Sequence, residues 1–407
     1  MAAHHDELLV ILRDLCGSYV AAVDEEPMLT EAGFTAAFGA DRADFRWFRG
    51  ACLAYAHMAT LFARALCERH TAGEIDDGEL GEALVWITPA VARSTLVEWL
   101  SITAQLAPDI TNRFLDAFTL DAAHLADSAV DVRDGYLPPF VLSHDHLLTS
   151  PDLIRLMLLE RNLVFSLRWR APATFHADVS KYLEPALLDE IEPWLGRLGG
   201  AVTIKREVAW AGGEFDLLVH SPDADVVLSV QAKAAIPPNG ARMLAALDTR
   251  VVEGLDQHAR FRGLPPDERD AVLSAALGTE VHDPAVVDLI AVRTCVGSAT
   301  TWRQCEEAGV VVLTPALLRL AVLDAAVRGQ ELDLADLPVV LEAVLQSIET
   351  DTSASWRSDT LNFGETTLAV PTLEYDQGAI ERWRLASIPE YRRIAGDDRP
   401  RPDSTND

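Results

Sequence analysis

The sequence predicts an α/β chain with an α+β-type core: an all-helical N-terminal domain, then a mixed sheet flanked by helices. Three observations carry this. Apolar residues recur at helical spacing through roughly the first 130 residues. From about residue 176 helical stretches alternate with short strand-like ones, the sign of an α/β layer. Two of those strand-like stretches, 214–220 and 226–234, carry polar residues in otherwise apolar sequence. With 407 residues the chain is too long for one ordinary domain. The expected division is a helical domain over 1–149, a connector helix over 150–175, an α/β domain over 176–330, a C-terminal extension over 331–394 and a disordered tail over 395–407.

In the first part, Leu8, Leu9, Leu12, Leu15 and Val20 share one helical spacing, and Phe45, Phe48, Cys52, Tyr55 and Leu61 another. Trp47, Trp86 and Trp99 read as packing residues. Leu137-Pro138-Pro139 breaks the pattern. Ser150-Pro151-Asp152 is a helix start, with Ser as N-cap, Pro in the first turn and Asp at the positive end of the dipole. A helix is expected over 153–167.

A further helix is expected over 180–198, ending at Gly199-Gly200, with Pro193 inside it to kink or shorten it. Strands follow over 201–210, 214–220 and 226–234, separated by Ala211-Gly212-Gly213 and Ser221-Pro222-Asp223. After the loop Pro237-Pro238-Asn239-Gly240 comes a long helix over 241–261. Strands over 286–294 and 309–313 come next. Thr314-Pro315 starts a helix that runs to Val327. A short helix over 337–348 and a Thr- and Ser-containing hairpin close the ordered chain. The final residues are polar and Pro-containing.

Composition limits the function classes. Net charge is -29, which argues against a protein that coats nucleic acid, since nonspecific affinity comes from Lys and Arg neutralising phosphates. A local nucleic-acid site is compatible with it, because charges more than about 8 Å apart are largely screened at physiological salt. The five cysteines form no CxxC pair, which fits a reducing cytosol rather than a disulfide framework or a zinc ribbon. No signal peptide and no uninterrupted membrane span are read, so a cytoplasmic protein without membrane association is expected. No phosphate-binding glycine loop or Ser-His-Asp arrangement stands out. His144-x-His146 reads as a surface loop, and Lys205, Arg206, Arg260 and Arg262 as solvated charges that a phosphate path would use.

Strand parity gathers the polar residues. Side chains alternate between faces, so Glu214, Asp216 and Leu218 share a face, as do Ser229, Gln231 and Lys233. If the two strands pair, one face is apolar and the other collects Glu214, Asp216, Gln231 and Lys233. Burying such groups unpaired is costly, which indicates a function or a compensating network. An acid, an amide oxygen and an ammonium together suit a divalent metal and a phosphodiester. The preceding helix has an apolar stripe of Leu183, Leu187, Ile191, Leu195 and Leu198. Glu184 falls within that stripe, Glu190 at its border, and Asp189 and Glu192 point elsewhere. Glu214, next to a turn, reads as solvated. The bland reading of Asp216 and Lys233 is an ion pair within a structural sheet, and that of Glu184 a pairing with Lys181 or Lys205.

This order of helix, strands, Asp, Gln-x-Lys and helix, over about residues 180–325, resembles the PD-(D/E)xK nuclease superfamily, which has the restriction-endonuclease-like fold. The nearer likeness is to its Mrr-like branch, in which Gln replaces the acid of the third strand. The resemblance implies that Asp216 is the metal-binding Asp, that Gln231 holds the (D/E) position and that Lys233 is the lysine. It gives the acid of the first helix to Glu184, with Glu190 as the alternative. Gln257 matches a polar, substrate-binding residue on the helix after the lysine strand. Phe215 stands where Pro would precede the Asp.

The implied activity is Mg²⁺- or Mn²⁺-dependent phosphodiester hydrolysis, with DNA rather than RNA as substrate, in restriction or defence. Asp216, Gln231 and Glu184 would be the metal ligands. The metal would polarise the phosphate and acidify a water, and Lys233 would orient that water or stabilise developing charge. The alternative is a catalytically degenerate nuclease fold that serves as a binding or scaffold module. In both readings the N-terminal helical domain is where a protein partner is expected. Gln231, a neutral oxygen donor, separates the two, since Mg²⁺ usually takes one or two carboxylates.

Overall fold

Thr30, Ser150, Ser298 and Thr314 each begin a helix by accepting a backbone N–H from three residues on, as short hydroxyl side chains at N-caps do. The computed structural model describes residues 2–22, 27–84, 90–125, 138–238, 240–293, 297–352, 355–363 and 366–374. It is a mixed α/β chain that divides into two compact units, one of Met1–Ala186 with Ala235–Ala246, the other of Leu187–Ala234 with the described residues from Leu247 on. The tail expected over 395–407 lies outside the described residues, as does Trp86.

The first unit opens with helices α1 (Ala2–Ala22), α2 (Glu31–Phe38), α3 (Arg42–Thr71) and α4 (Asp77–Leu84). Strand β1 (Ala90–Ala92) and helices α5 (Arg93–Ala104) and α6 (Pro108–Ala117) follow, then β2 (Thr119–Asp121), α7 (Ala122–Leu125), β3 (Phe140–Ser143) and β4 (His146–Thr149). Its core is aromatic: Phe34, Phe45, Phe48, Phe114 and Phe118 are essentially fully buried, with ring centroids 5.4 Å apart for Phe45 and Phe114 and for Phe48 and Phe114. Buried Glu160 accepts N–H groups from Met28 at 2.8 Å and Leu29 at 3.2 Å and pairs with Arg42 at 2.7 Å. By length and composition α3 would pass as a membrane span, but 44% of its most apolar window is buried, as in a core helix.

Two expectations for this part need correction. The domain is not all-helical. The four short strands form a mixed sheet in the order β1-β4-β3-β2, with β2 and β3 parallel and the other pairs antiparallel. Strands of three and four residues are too short for a period of two to stand out beside helices. The connector is also two helices, α8 (Pro151–Met157) and α9 (Glu160–Arg170). The Asn162 side chain donates to the Met157 carbonyl at 2.9 Å and so ends α8. Leu61, expected on a buried stripe, is 46% exposed. His144 and His146 flank the tip of the β3–β4 hairpin, as expected of a surface loop.

The chain then passes through a short α10 (Pro172–Thr174), a π-turn over Phe175–Val179 and a 3₁₀ turn over Ser180–Tyr182 into α11 (Leu183–Leu195), which contains Pro193. The second unit is built on a five-stranded sheet in sequence order: β5 (Thr203–Trp210), β6 (Gly213–Ser221), β7 (Val226–Ala232), β8 (Ala285–Ala291) and β9 (Val311–Leu313). The β5–β6 and β6–β7 pairs are antiparallel, and β7–β8 and β8–β9 are parallel. Parallel neighbours need a crossover, which α12 (Ala241–Arg262) and α13 (Pro266–Leu277) supply between β7 and β8, and α14 (Ala299–Ala308) between β8 and β9. Then come α15 (Pro315–Val327), α16 (Leu337–Thr352) and a hairpin of β10 (Ser355–Phe363) and β11 (Thr366–Glu374).

β7 is buried along its whole length, as a central strand covered on both sides should be. One core cluster joins Phe215, Leu218 and Val227 of the sheet to Phe261 of α12 and to Leu273 and Leu277 of α13. Phe215 and Leu218 share this cluster although strict alternation puts them on opposite faces. Alternation is lost between them, at Asp216. In β5, Arg206 pairs with Leu217 and Val208 with Phe215, and Glu207 drops out of the ladder with φ 52°. A non-glycine residue at such a φ marks local distortion.

Candidate active site

The β6–β7 ladder runs from Ser221 opposite Val226 to Leu217 opposite Val230 and stops there. One step further on, side chains replace backbone. The Ala232 N–H donates to Asp216 Oδ2 at 2.6 Å, and Gln231 Nε2 donates to the Glu214 carbonyl at 2.7 Å. Asp216 and Gln231 are 7% and 2% exposed, so each satisfies a backbone group that would otherwise be buried without a partner. Both side chains lie at the same level of two neighbouring strands, just past the last paired residues Leu217 and Val230.

Lys233 follows the end of β7. Its N–H continues the parallel pairing by donating to the Ala291 carbonyl at 2.8 Å. Its ammonium donates to Gln231 Oε1 at 3.2 Å and to Gln257 Oε1 at 2.9 Å, and stands 3.7 Å from Asp216 Oδ2. Gln257 comes from α12, so three elements converge on one cation. The Asp216 carboxyl is pushed above its ordinary range, chiefly by burial; Lys233 and the Ala232 N–H pull in the opposite direction and offset this only in part. Glu214 is exposed, as its place beside a turn predicts.

The first-helix acid divides differently from expectation. Glu190 pairs with Arg293 at 2.5 Å, and the Arg293 side chain is only 2% exposed. That buried charge pair gives Glu190 a structural reason to lie at the border of the apolar stripe. Glu184 is half-buried in the first turn of α11 and belongs to the first unit. The cluster of Asp216, Gln231, Lys233 and Gln257 lies wholly in the second. Asp189 and Glu192 both pair with Arg206, which takes that arginine out of any phosphate path. Arg262 pairs with buried Asp288 and donates to the carbonyls of Ala308 and Gly309 at the end of α14, so it too is structural. Arg260 is exposed and donates to the Gly212 carbonyl at 3.1 Å. An open depression lined by Glu253, Asp256, Gln257, Ala259 and Arg260 shares Gln257 with the cluster.

A buried group that sequence reading missed lies under the same helix. His258, one residue after Gln257, places Nε2 3.0 Å from the Leu289 carbonyl and Nδ1 3.0 Å from Asp288 Oδ1. Ser229 Oγ is 3.4 Å from that same Nδ1. Serine, histidine and aspartate thus meet, but not as a hydrolytic triad. There the serine and the acid engage different ring nitrogens and the serine is accessible, whereas here both face Nδ1 and Ser229 is fully buried. Nε2 of His258 thus faces the Leu289 carbonyl, and Nδ1 faces both Ser229 and Asp288, in a buried cluster. Its spacing in the sequence gave no hint of this, because the three residues come from β7, α12 and β8.

As a metal site the cluster is lean. Among the described residues no group of three or more His, Cys, Asp and Glu is placed to hold an ion. What it offers is one carboxylate, Asp216, and one amide oxygen, Gln231 Oε1, that already accepts from Lys233. Such a set fits Mg²⁺ or Mn²⁺ only when water and substrate phosphate complete the shell, which is how Mg²⁺ is commonly held. Comparison with family models, with curated proteins and with solved structures finds no match to this chain.

Proposed function

We propose that the second unit is a restriction-endonuclease-like domain that hydrolyses phosphodiester bonds, DNA in preference to RNA, with Mg²⁺ or Mn²⁺. The observation that carries the reading is the convergence of Lys233 on Asp216 at 3.7 Å, at the point where β6 and β7 part. Supporting it are the order helix, three antiparallel strands, helix and parallel strand, and the local distortion at Glu207 beside Asp216. Strained backbone gathers at functional sites, and the inference runs from the observed outlier to the function.

Asp216 and Gln231 would hold the metal, with water and substrate phosphate completing its shell. When bound there, such a metal would supply polarisation of the scissile phosphate and acidification of a water. Lys233 presents a compact positive charge to the phosphoryl oxygens as negative charge grows on them. Gln257 and Gln231 fix the ammonium, so its direction is set before substrate arrives. Glu253 and Asp256 on the adjoining depression repel a bare phosphodiester, so the cation and Lys233 are both needed to draw it in. A role in restriction or defence follows from the same resemblance, and a cytoplasmic setting with a protein partner on the first unit is proposed beside it.

One observation favours a second reading. Asp216 Oδ2 and the Gln231 amide are engaged in holding the sheet together. A chain that had lost catalysis would keep them for that reason alone and serve as a binding module. Incubation of plasmid, single-stranded DNA and RNA with the purified chain separates the two. Hydrolysis predicts products in Mg²⁺ or Mn²⁺ that EDTA abolishes. The absence of products on all three substrates, with no calorimetric Mn²⁺ binding in the presence of oligonucleotide, supports the binding module instead.

A further inference from the structure

We propose that Gly254 of α12 is a positioning residue: its missing side chain is the slot through which Lys233 reaches the site. Gly254 is buried in mid-helix and is not among the glycines with positive φ. Neither a turn nor a cap therefore calls for it, and a mid-helix glycine lowers helix stability relative to alanine. What the position requires is space. A β-carbon built on Gly254 would lie 3.1 Å from Lys233 Cε and 3.3 Å from Ile290 Cδ1. The first separation is tighter than a relaxed contact between carbons, about 3.5–4.0 Å.

The consequence follows from where the lysine must go. Lys233 is anchored at its N–H to Ala291, and its ammonium is held by Gln231 and by Gln257. Residues three apart on a helix lie on one face, so Gly254 and Gln257 form a single track. The first passes the stem and the second receives the charged end. Filling the slot requires Cε to give by a few tenths of an ångström, which shifts the ammonium from the position where it meets Gln231 and Gln257 together at 3.7 Å from Asp216. Activity depends on the slot only if Lys233 acts on the phosphate, so this part rests on the function proposed above. The packing of Lys233 over Gly254 does not.

The test compares wild type, Gly254→Ala, Lys233→Ala and the double variant by thermal melting and by steady-state cleavage. In the Lys233→Ala background the tighter contact is gone and only that with Ile290 Cδ1 remains, so the helix-propensity gain of Gly254→Ala should show as a rise in Tm of up to roughly 2 °C. In the wild-type background the rise should be smaller or reversed. Gly254→Ala alone should lower kcat about ten-fold or more with KM unchanged, the result of a displaced charge. A purely structural glycine would lose stability and rate together, in both backgrounds. Equal Tm changes in the two backgrounds, or wild-type cleavage by Gly254→Ala, would overturn the proposal. If wild type itself cleaves nothing, the nuclease reading fails, and the melting comparison still decides whether the slot exists.

Discussion

Lys233 Nζ stands 3.7 Å from Asp216 Oδ2 yet donates its hydrogen bonds to two glutamines, Gln231 and Gln257. The pair attracts without being closed by a direct hydrogen bond. The ammonium is positioned by neutral oxygens and keeps its charge directed at the region of the acid.

Asp216→Asn should separate stability from activity. Burial raises the Asp216 carboxyl above its ordinary value of 3.8, so the folded chain holds this proton more tightly than the unfolded chain does. The stability this group contributes is complete below pH of about 4 and is lost as pH rises through the folded-state value. The Asn variant stays neutral throughout. Its Tm should match wild type at pH of about 4 and exceed it at pH 7, while cleavage is lost. A lower Tm for the variant at neutral pH would show that the anion stabilises the fold.

Gln231→Glu restores the acid of the resembled motif at a cost. It removes the donor to the Glu214 carbonyl and places a second carboxylate next to Asp216 in a buried position. A destabilisation of about 1–3 kcal/mol is expected from the lost and unsatisfied groups. Excess Mg²⁺ should raise the Tm of this variant more than that of wild type, since a ligand stabilises the state it binds. Equal Mg²⁺ shifts in the two proteins would argue against ion binding at this position.

Asp216, Gln231 and Lys233 were legible as polar residues in otherwise apolar strand sequence, whereas the break in alternation at Asp216 and the support of Lys233 by Gln257 were not. Helix starts at Ser150 and Thr314 were legible from local sequence. The parting of β6 and β7 was not, because it appears only when Asp216 and Gln231 turn into the ladder. The Ser229, His258 and Asp288 contact was hidden for a similar reason. The helix α13 escaped notice because its two buried leucines, Leu273 and Leu277, are too few to draw an apolar stripe among charged and alanine residues. The small sheet of the first unit escaped because its strands are too short.

Glu190→Gln should separate a structural acid from a catalytic one. It weakens the buried pair with Arg293 and should cost about 3 kcal/mol, by the usual penalty for breaking such a pair. It should leave cleavage unchanged at temperatures where the variant stays folded. Loss of rate in the folded variant would show that Glu190 acts in the site and not only in the pair.

Asp288→Asn tests the buried group beneath α12. Asp288 is fully buried and faces both His258 and Arg262. Removing its charge leaves two basic groups beside a neutral amide, and about 3–5 kcal/mol of stability should go with it. Urea denaturation would show this as a lower midpoint with an unchanged slope. A midpoint within error of wild type would mean that the buried cluster does not depend on the Asp288 charge.

The most direct test of the account is cleavage of plasmid DNA in Mn²⁺ by wild type, Asp216→Ala and Lys233→Ala, each shown by circular dichroism to be folded. The account predicts divalent-dependent nicking or linearisation by wild type, and a loss of roughly 100-fold or more in rate for each variant, the scale of one electrostatic donor in a buried site. Cleavage that persists undiminished in both variants would contradict it.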